Sequence, residues 1–305
     1  MKSTFRHYAP VALLLAGILA VSTLLSLLTG SRREEQGTRL LVTNYPLYVA
    51  AQNILGDTDG VTLTMLSGTG SGCVHDRQLT PADRRTLEQA DMVIINGAGE
   101  QAFLEGVDPV RVVNTSAGLY LLQGAHRHEG EGSPHETANE HVWVSPSHYI
   151  QQVTVVRDAL IRLDPPNAAA YTANAEEYRI AVDEVAQRLP RLSGRPCVLF
   201  HDSLAYLAGE VGLDVKLTLT VDGDSGIDAE SLAQVESLAK QYPDLLLLYD
   251  TQYPIRYGAV DGLVPAEQVL ALESAVVGQG SPTDWLDAMG RNADKLCQLT
   301  GGDAP

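Results

Sequence analysis

Hydrophobic positions along this chain alternate between short apolar runs and helical spacing. Short apolar runs rich in β-branched residues fall at Arg39–Asn44, Val61–Leu66, Met92–Asn96 and Val110–Asn114. A second set falls at Cys197–His201, Asp214–Thr220, Leu245–Tyr249 and Gln268–Glu273. Runs of this length between turn-forming residues predict strands. Helical patterns lie between them. Thr80-Pro81-Ala82-Asp83 reads as a helix start, with Thr80 as N-cap, proline at the first helical position and Asp83 three residues after the cap. A β-then-α order predicts parallel sheets covered by helices. The expected fold class is therefore α/β, with two lobes, each a parallel β-sheet flanked by helices.

Between the two sets of strands runs a long helical stretch. Asp164-Pro165-Pro166 marks its start, and Tyr171, Ala175, Tyr178, Val182, Val185 and Leu189 recur in steps of four and three. That spacing is one face of a helix. Pro190 and Gly194 end it. The expected division is an N-terminal segment at 1–30, a linker at 31–38, one lobe at 39–163, a connecting helix at 164–193 and a second lobe at 194–305. One helix joining the lobes would brace them against large hinge motion.

The N-terminal segment changes the picture of where the protein works. Lys2, Arg6 and His7 precede an apolar run from Ala9 to Leu28, with no small-x-small cleavage site after it. Its length lies between a signal-peptide core and a membrane span. It is read as an export signal that persists as a membrane anchor, so the rest of the chain faces outward. No cysteine lies nearby to carry a lipid.

Charge argues against a nucleic-acid partner and fits either plain solubility or attraction of cations. The formal net charge is -17, and once Lys2 and Arg6 are set aside 19 basic residues face 38 acidic ones. Such a surface repels nucleic acid and attracts cations. The three cysteines, Cys73, Cys197 and Cys297, form no C-x-x-C pair. An odd count allows one disulfide and one thiol, and Cys197–Cys297 is the expected pair because both lie in the second half.

Four positions carry candidate chemistry. His75 follows the strand at Val61–Leu66 through a glycine-rich turn, and His141 precedes Val142-Trp143-Val144. His201 and Glu273 each end a strand. In open α/β sheets, ligands bind beyond the carboxyl ends of the strands. The four are 66, 60 and 72 residues apart, so only the fold can bring them together, two from each lobe. A separate polar segment, Gly124 to Glu140, holds His126, His128 and His135 among four glutamates. It has no hydrophobic period and is expected to be a loop that binds metal weakly.

These residues carry a resemblance to the zinc- and manganese-specific solute-binding proteins of bacterial ABC importers. Val42-Thr43-Asn44-Tyr45-Pro46-Leu47-Tyr48 is similar to that family's opening strand and Tyr-Pro turn. His75-Asp76 with Thr80-Pro81-Ala82-Asp83, His141-Val142-Trp143 with Pro146, and Phe200-His201-Asp202 with Tyr206 match its first three ligand motifs. Ala90-Asp91-Met92-Val93-Ile94-Ile95-Asn96-Gly97 matches the strand after the first of them. Glu273 falls where the family usually has an aspartate. The departures are Arg77 and Gln78 after the first histidine, Asn139-Glu140 in place of Asp-Pro, and the longer Glu273. The resemblance covers about Leu40 to Leu299. It implies an extracytoplasmic monomer that passes its ion to an ABC permease.

Three imidazoles and one carboxylate, from His75, His141, His201 and Glu273, make a tetrahedral N₃O set that suits zinc. Manganese prefers more oxygen and stands second. Cys73, two residues before His75, is an alternative soft ligand. A zinc hydrolase is the competing function, with Glu273 as base instead of ligand, although no H-E-x-x-H and no nucleophile elbow is present. A surface adhesion or scaffold role would leave the histidines unexplained. Asp222 to Asp228 looks like a calcium loop but has Ala233 where the bidentate glutamate belongs, and it is read as a cap for a helix at Ala229–Lys240.

Overall fold

The computed structural model describes residues 18–23, 37–66, 79–98, 100, 104–124, 138–219, 226–253 and 260–300. Cys73, His75, His126, His128 and His135 lie outside the described residues. So does most of the apolar N-terminal run, of which residues 18–23 are helical. Among the described residues no helix is long and apolar enough to cross a membrane.

All eight expected strands are present, most of them shorter than their apolar runs. They are β1 (Thr38–Val42), β2 (Val61–Met65), β3 (Met92–Ile95), β4 (Val112–Asn114), β5 (Pro196–Leu199), β6 (Asp214–Thr218), β7 (Leu246–Asp250) and β8 (Val269–Leu272). The helices are α1 (Tyr45–Leu55), α2 (Pro81–Gln89), α3 (Pro146–Leu163), α4 (Ala168–Gln187), α5 (Ala205–Val211), α6 (Ala229–Gln241) and α7 (Asp284–Cys297). The strands form two four-stranded sheets, in the orders β2-β1-β3-β4 and β6-β5-β7-β8. Within the first, β1 pairs β3 and β3 pairs β4 in parallel. In the second, all three pairings are parallel. This is the two-lobed α/β architecture that the hydrophobic periods predict, and contacts join Arg39–Pro305 into one unit.

The helix starts obey local chemistry. Thr80 and Asp83 close a reciprocal capping box on α2. Asp228 caps α6 by accepting from the Ser231 amide, the role expected of it. α4 runs 20 residues, about 30 Å. It begins after the prolines as a separate 3₁₀ turn, Pro165–Asn167, and stops at Gln187, short of Leu189. Its predicted stripe of Tyr171, Ala175, Tyr178, Val182 and Val185 is buried.

One large core runs through both halves. Leu40, Val42 and Ile94 of the first sheet, and Cys197, Leu199, Leu246 and Leu248 of the second, belong to the same cluster as the buried faces of α1, α3 and α4. The other face of each sheet has its own smaller core. Two tryptophans lock the halves. Trp143 Nε1 donates to the Ser274 carbonyl at 2.8 Å, and Trp285 Nε1 donates to the Trp143 carbonyl at 3.0 Å. Trp285 also stacks on Tyr149. Tyr45, at the start of α1, hydrogen-bonds Asp284 at the start of α7.

The expected Cys197–Cys297 disulfide is absent, and both cysteines are free thiols. Cys197 points into the main core from β5, where burial pushes its thiol up to about 12. Cys297 ends α7 and sits against the Arg188 carbonyl. The two face different surroundings.

Candidate metal centre

Strand alternation decides what reaches the space between the sheets. Along β5, Cys197 and Leu199 face the main core while Val198 and Phe200 face the outer one. The next residue on the inner row is His201. It caps a 3₁₀ turn, Asp202–Leu204, that leads into α5. Its Nδ1 accepts from the Ser203 amide at 3.0 Å. Asp250 closes the inner row of β7, is fully buried, and accepts from Ser203 Oγ at 2.8 Å. Burial raises the Asp250 carboxyl above its ordinary value, and hydrogen bonds from Ser274, Gln252 and Ser203 pull it back. A chain from Asp250 through Ser203 thus fixes the His201 ring.

His141 comes from the other half. It caps the 3₁₀ turn Val142–Val144, ahead of Ser145 and α3. Asn139 orients it. The Asn139 Nδ2 donates to the Asp202 carbonyl at 2.8 Å, so its Oδ1 is the acceptor. That oxygen receives the His141 backbone N–H at 2.9 Å and faces the ring Nδ1 at 3.0 Å. The proton of a neutral His141 therefore sits on Nδ1, and Nε2 carries the lone pair.

The two histidines meet. Their ring centroids are 5.5 Å apart, edge to face. One ligand atom from each of His141, His201 and Asp202 lies within 4.8 Å of the others, and all three residues are buried. The Asp202 Oδ1 is 3.3 Å from His201 Nδ1 and 3.8 Å from His141 Nδ1. Glu140 adds a second buried carboxylate, 3.9 Å from His141 Nε2. Its backbone is tied to the first sheet, because Asn96 donates to the Glu140 carbonyl at 2.7 Å. Carboxylates and imidazoles removed from water favour a cation among them.

The structure does not bring Glu273 into this group. Its carboxylate is held in a two-pronged pair by Arg291, both bonds at 2.7 Å, which keeps it below the usual glutamate range. Alternation explains why. Leu270 and Leu272 of β8 face the main core and Val269 the outer one, so residue 273 continues the outer row. Asp202 supplies a carboxylate beside the histidines instead. Asp202 stands next to His201 in the Phe200-His201-Asp202 motif, and that adjacency is its one local signal. Asn139 and Glu140, which depart from the family's Asp-Pro, both line the site.

The base of the histidine-rich segment is fastened here. Gln123 and Ala138 pair across an antiparallel bridge, and Asn139 N donates to the Leu122 carbonyl. Tyr206, on α5, donates its hydroxyl to the Asn139 carbonyl and accepts from the Leu122 amide, each at 2.9 Å.

Two parallel sheets with buried imidazoles and a carboxylate at their carboxyl ends define a two-lobed metal-binding protein. Residues 40–299 match the model of the family described as zinc-uptake complex component A, periplasmic, and the chain belongs to that family. Among curated relatives it is 25% identical over 226 residues to the high-affinity zinc uptake system protein ZnuA of Yersinia pestis, covering 64% of this chain and 70% of the relative. It is 30% identical over 172 residues to the iron-binding protein YfeA of the same organism, covering 53% of each. The zinc-binding protein AdcA of Streptococcus pyogenes is 24% identical over 232 residues, and the match spans 44% of its length. Solved structures share the fold. A crystal structure of ZnuA superposes with a TM-score of 0.67 at 23% identity, covering 86% of this chain and 98% of that one. FpvC of Pseudomonas aeruginosa in complex with Mn²⁺ gives 0.68 at 23% identity, covering 86% and 97%.

Proposed function

We propose that this protein captures a zinc ion outside the cytoplasmic membrane and releases it to the permease of an ABC importer. The observation that carries the proposal is the buried approach of His141, His201 and Asp202, within 4.8 Å of one another. Imidazole nitrogen with one or two carboxylate oxygens suits zinc, and manganese is the second candidate. His75 is assigned as the third imidazole. Asp202 takes the ligand role first expected of Glu273. A set filled by protein donors holds an ion and leaves no open position for a reacting water, which fits a binding protein. The hydrolase alternative needs Glu273 as a base beside the histidines, and Arg291 holds that carboxylate elsewhere.

His126, His128 and His135 are proposed to collect ions weakly, with the tight site independent of them. The apolar N-terminal run, residues 9–28, is proposed as a membrane anchor on a monomeric protein. Metal content after purification, followed by competition between zinc and manganese, tests the reading. Zinc should displace manganese at one site per chain. Manganese bound tightly with zinc no tighter would overturn the ranking. Equal zinc binding by wild type, His75→Ala and His141→Ala would overturn the site.

A further inference from the structure

Tyr253 stands in the metal centre without being one of its expected donors. It follows β7 on a turn, is 7% exposed, and belongs to the main core. Its ring stacks on His201, with centroids 3.9 Å apart and planes 16° from parallel. Its hydroxyl lies 2.9 Å from His141 Nε2. The direction of that hydrogen bond follows from Asn139. Because Asn139 Oδ1 receives the Nδ1 proton of His141, Nε2 is the acceptor, and the tyrosine O–H donates to it. The lone pair on Nε2 is also the one that His141 offers to an ion. One lone pair serves one partner at a time.

We propose that Tyr253 is a built-in competitor that sets the affinity of the site. With no ion bound, its hydroxyl occupies His141 Nε2 and its ring supports His201, so both imidazoles stay oriented. An ion entering the centre takes the Nε2 lone pair, and the hydroxyl must give it up. On departure the hydroxyl returns to Nε2 and opposes rebinding. A protein that must surrender its cargo gains from such a competitor: affinity stays below what the ligands alone would give, and release is eased. This inference rests on the reading of His141 as a ligand.

Tyr253→Phe removes the hydroxyl and keeps the stacked ring. Its zinc Kd, measured by competition with a chromophoric chelator, should tighten about fivefold, the worth of one hydrogen bond between neutral buried groups. Transfer of zinc from loaded protein to excess chelator should slow by a similar factor. An unchanged Kd would overturn the proposal. A weaker Kd would also overturn it, because the hydroxyl would then aid binding instead of opposing it. His141→Ala separates this inference from the one beneath it. If that variant loses zinc while Tyr253→Phe matches wild type, only the competitor fails. If both bind as wild type does, the metal centre itself is misplaced. Ultraviolet circular dichroism of both variants without metal checks that each is folded. Tyr253→Leu, which lacks ring and hydroxyl, should bind more weakly than Tyr253→Phe because His201 loses its stacking support.

Discussion

The carboxyl ends of β5 and β8 both present an acid, in the same sheet, and the two acids have different surroundings. At the end of β5, Asp202 is buried beside His141 and His201. At the end of β8, Glu273 is paired with Arg291, whose side chain is 54% exposed. β5 is central in its sheet and β8 is an edge. A strand end is thus not by itself a sufficient address for a ligand. Where the chain turns after the strand, as it does at once into the 3₁₀ turn Asp202–Leu204 beyond β5, and whether a cation on a neighbouring helix can reach the acid, decide the rest.

Removing a donor from the β5 end should have the largest effect. His201→Ala is expected to weaken zinc binding at least about a hundredfold, more than the loss of a supporting group. Asp202→Asn should also weaken it, by about tenfold or more, and isothermal titration reads both. If Asp202→Asn binds as wild type does while Glu273→Gln does not, the contrast between the two strand ends is reversed.

Asn139→Ala should come next. It deletes the amide that sets the His141 tautomer and joins His141 to the backbone of Asp202. Groups in this position typically contribute about 10–100-fold to metal affinity. A Kd unchanged in Asn139→Ala would mean that the ring is oriented by other contacts.

At the β8 end, Glu273→Gln should leave the zinc Kd within about twofold and cost about 0.2–1 kcal/mol of stability at neutral pH, as partly exposed pairs do. Its pH dependence has a definite sign. Arg291 lowers the folded-state value of Glu273 below the ordinary 4.5. The stabilisation is therefore present above pH 4.5 and lost as pH falls through the folded-state value. Chemical denaturation curves of metal-free wild type and Glu273→Gln should converge in acid and separate toward neutrality. A gap that persists unchanged at acid pH would assign the effect to something other than this pair.

The smallest effect is expected from replacing residues 125–137 with a short glycine link. Gln123 and Ala138 are already paired across their bridge, so the ends need little chain to join them. The tight-site Kd should stay within about twofold, with no cost in stability, because the paired stems are kept. Extending the deletion through Glu140 should abolish tight binding, because Asn139 and Glu140 belong to the site.

The fold was legible because short, β-branched apolar runs and a single helical stripe are local signals. Thr80-Pro81-Ala82-Asp83 names its own helix start, and Tyr171 to Val185 name their own buried face. The meeting of His141 with His201, 60 residues apart, became readable through strand ends and family resemblance. The carboxylate was harder. Leu-Ala-Leu-Glu, 270–273, does encode the outward parity of Glu273, but only once the inner row is known. Tyr253 had no signal at all: its role depends on a hydroxyl meeting a ring 112 residues away. Burial likewise separates Cys197 from Cys297 in a way that their shared half of the chain could not reveal.

The Tyr206 hydroxyl grips both stems of the histidine-rich excursion, at Leu122 and Asn139. The chain between them therefore leaves and returns through one fixed gate. Its length and composition can change while Leu122 and Asn139 stay where they are. A protein engineer can use it the same way, as an insertion port for a fluorescent reporter whose linkers end beside the captured metal.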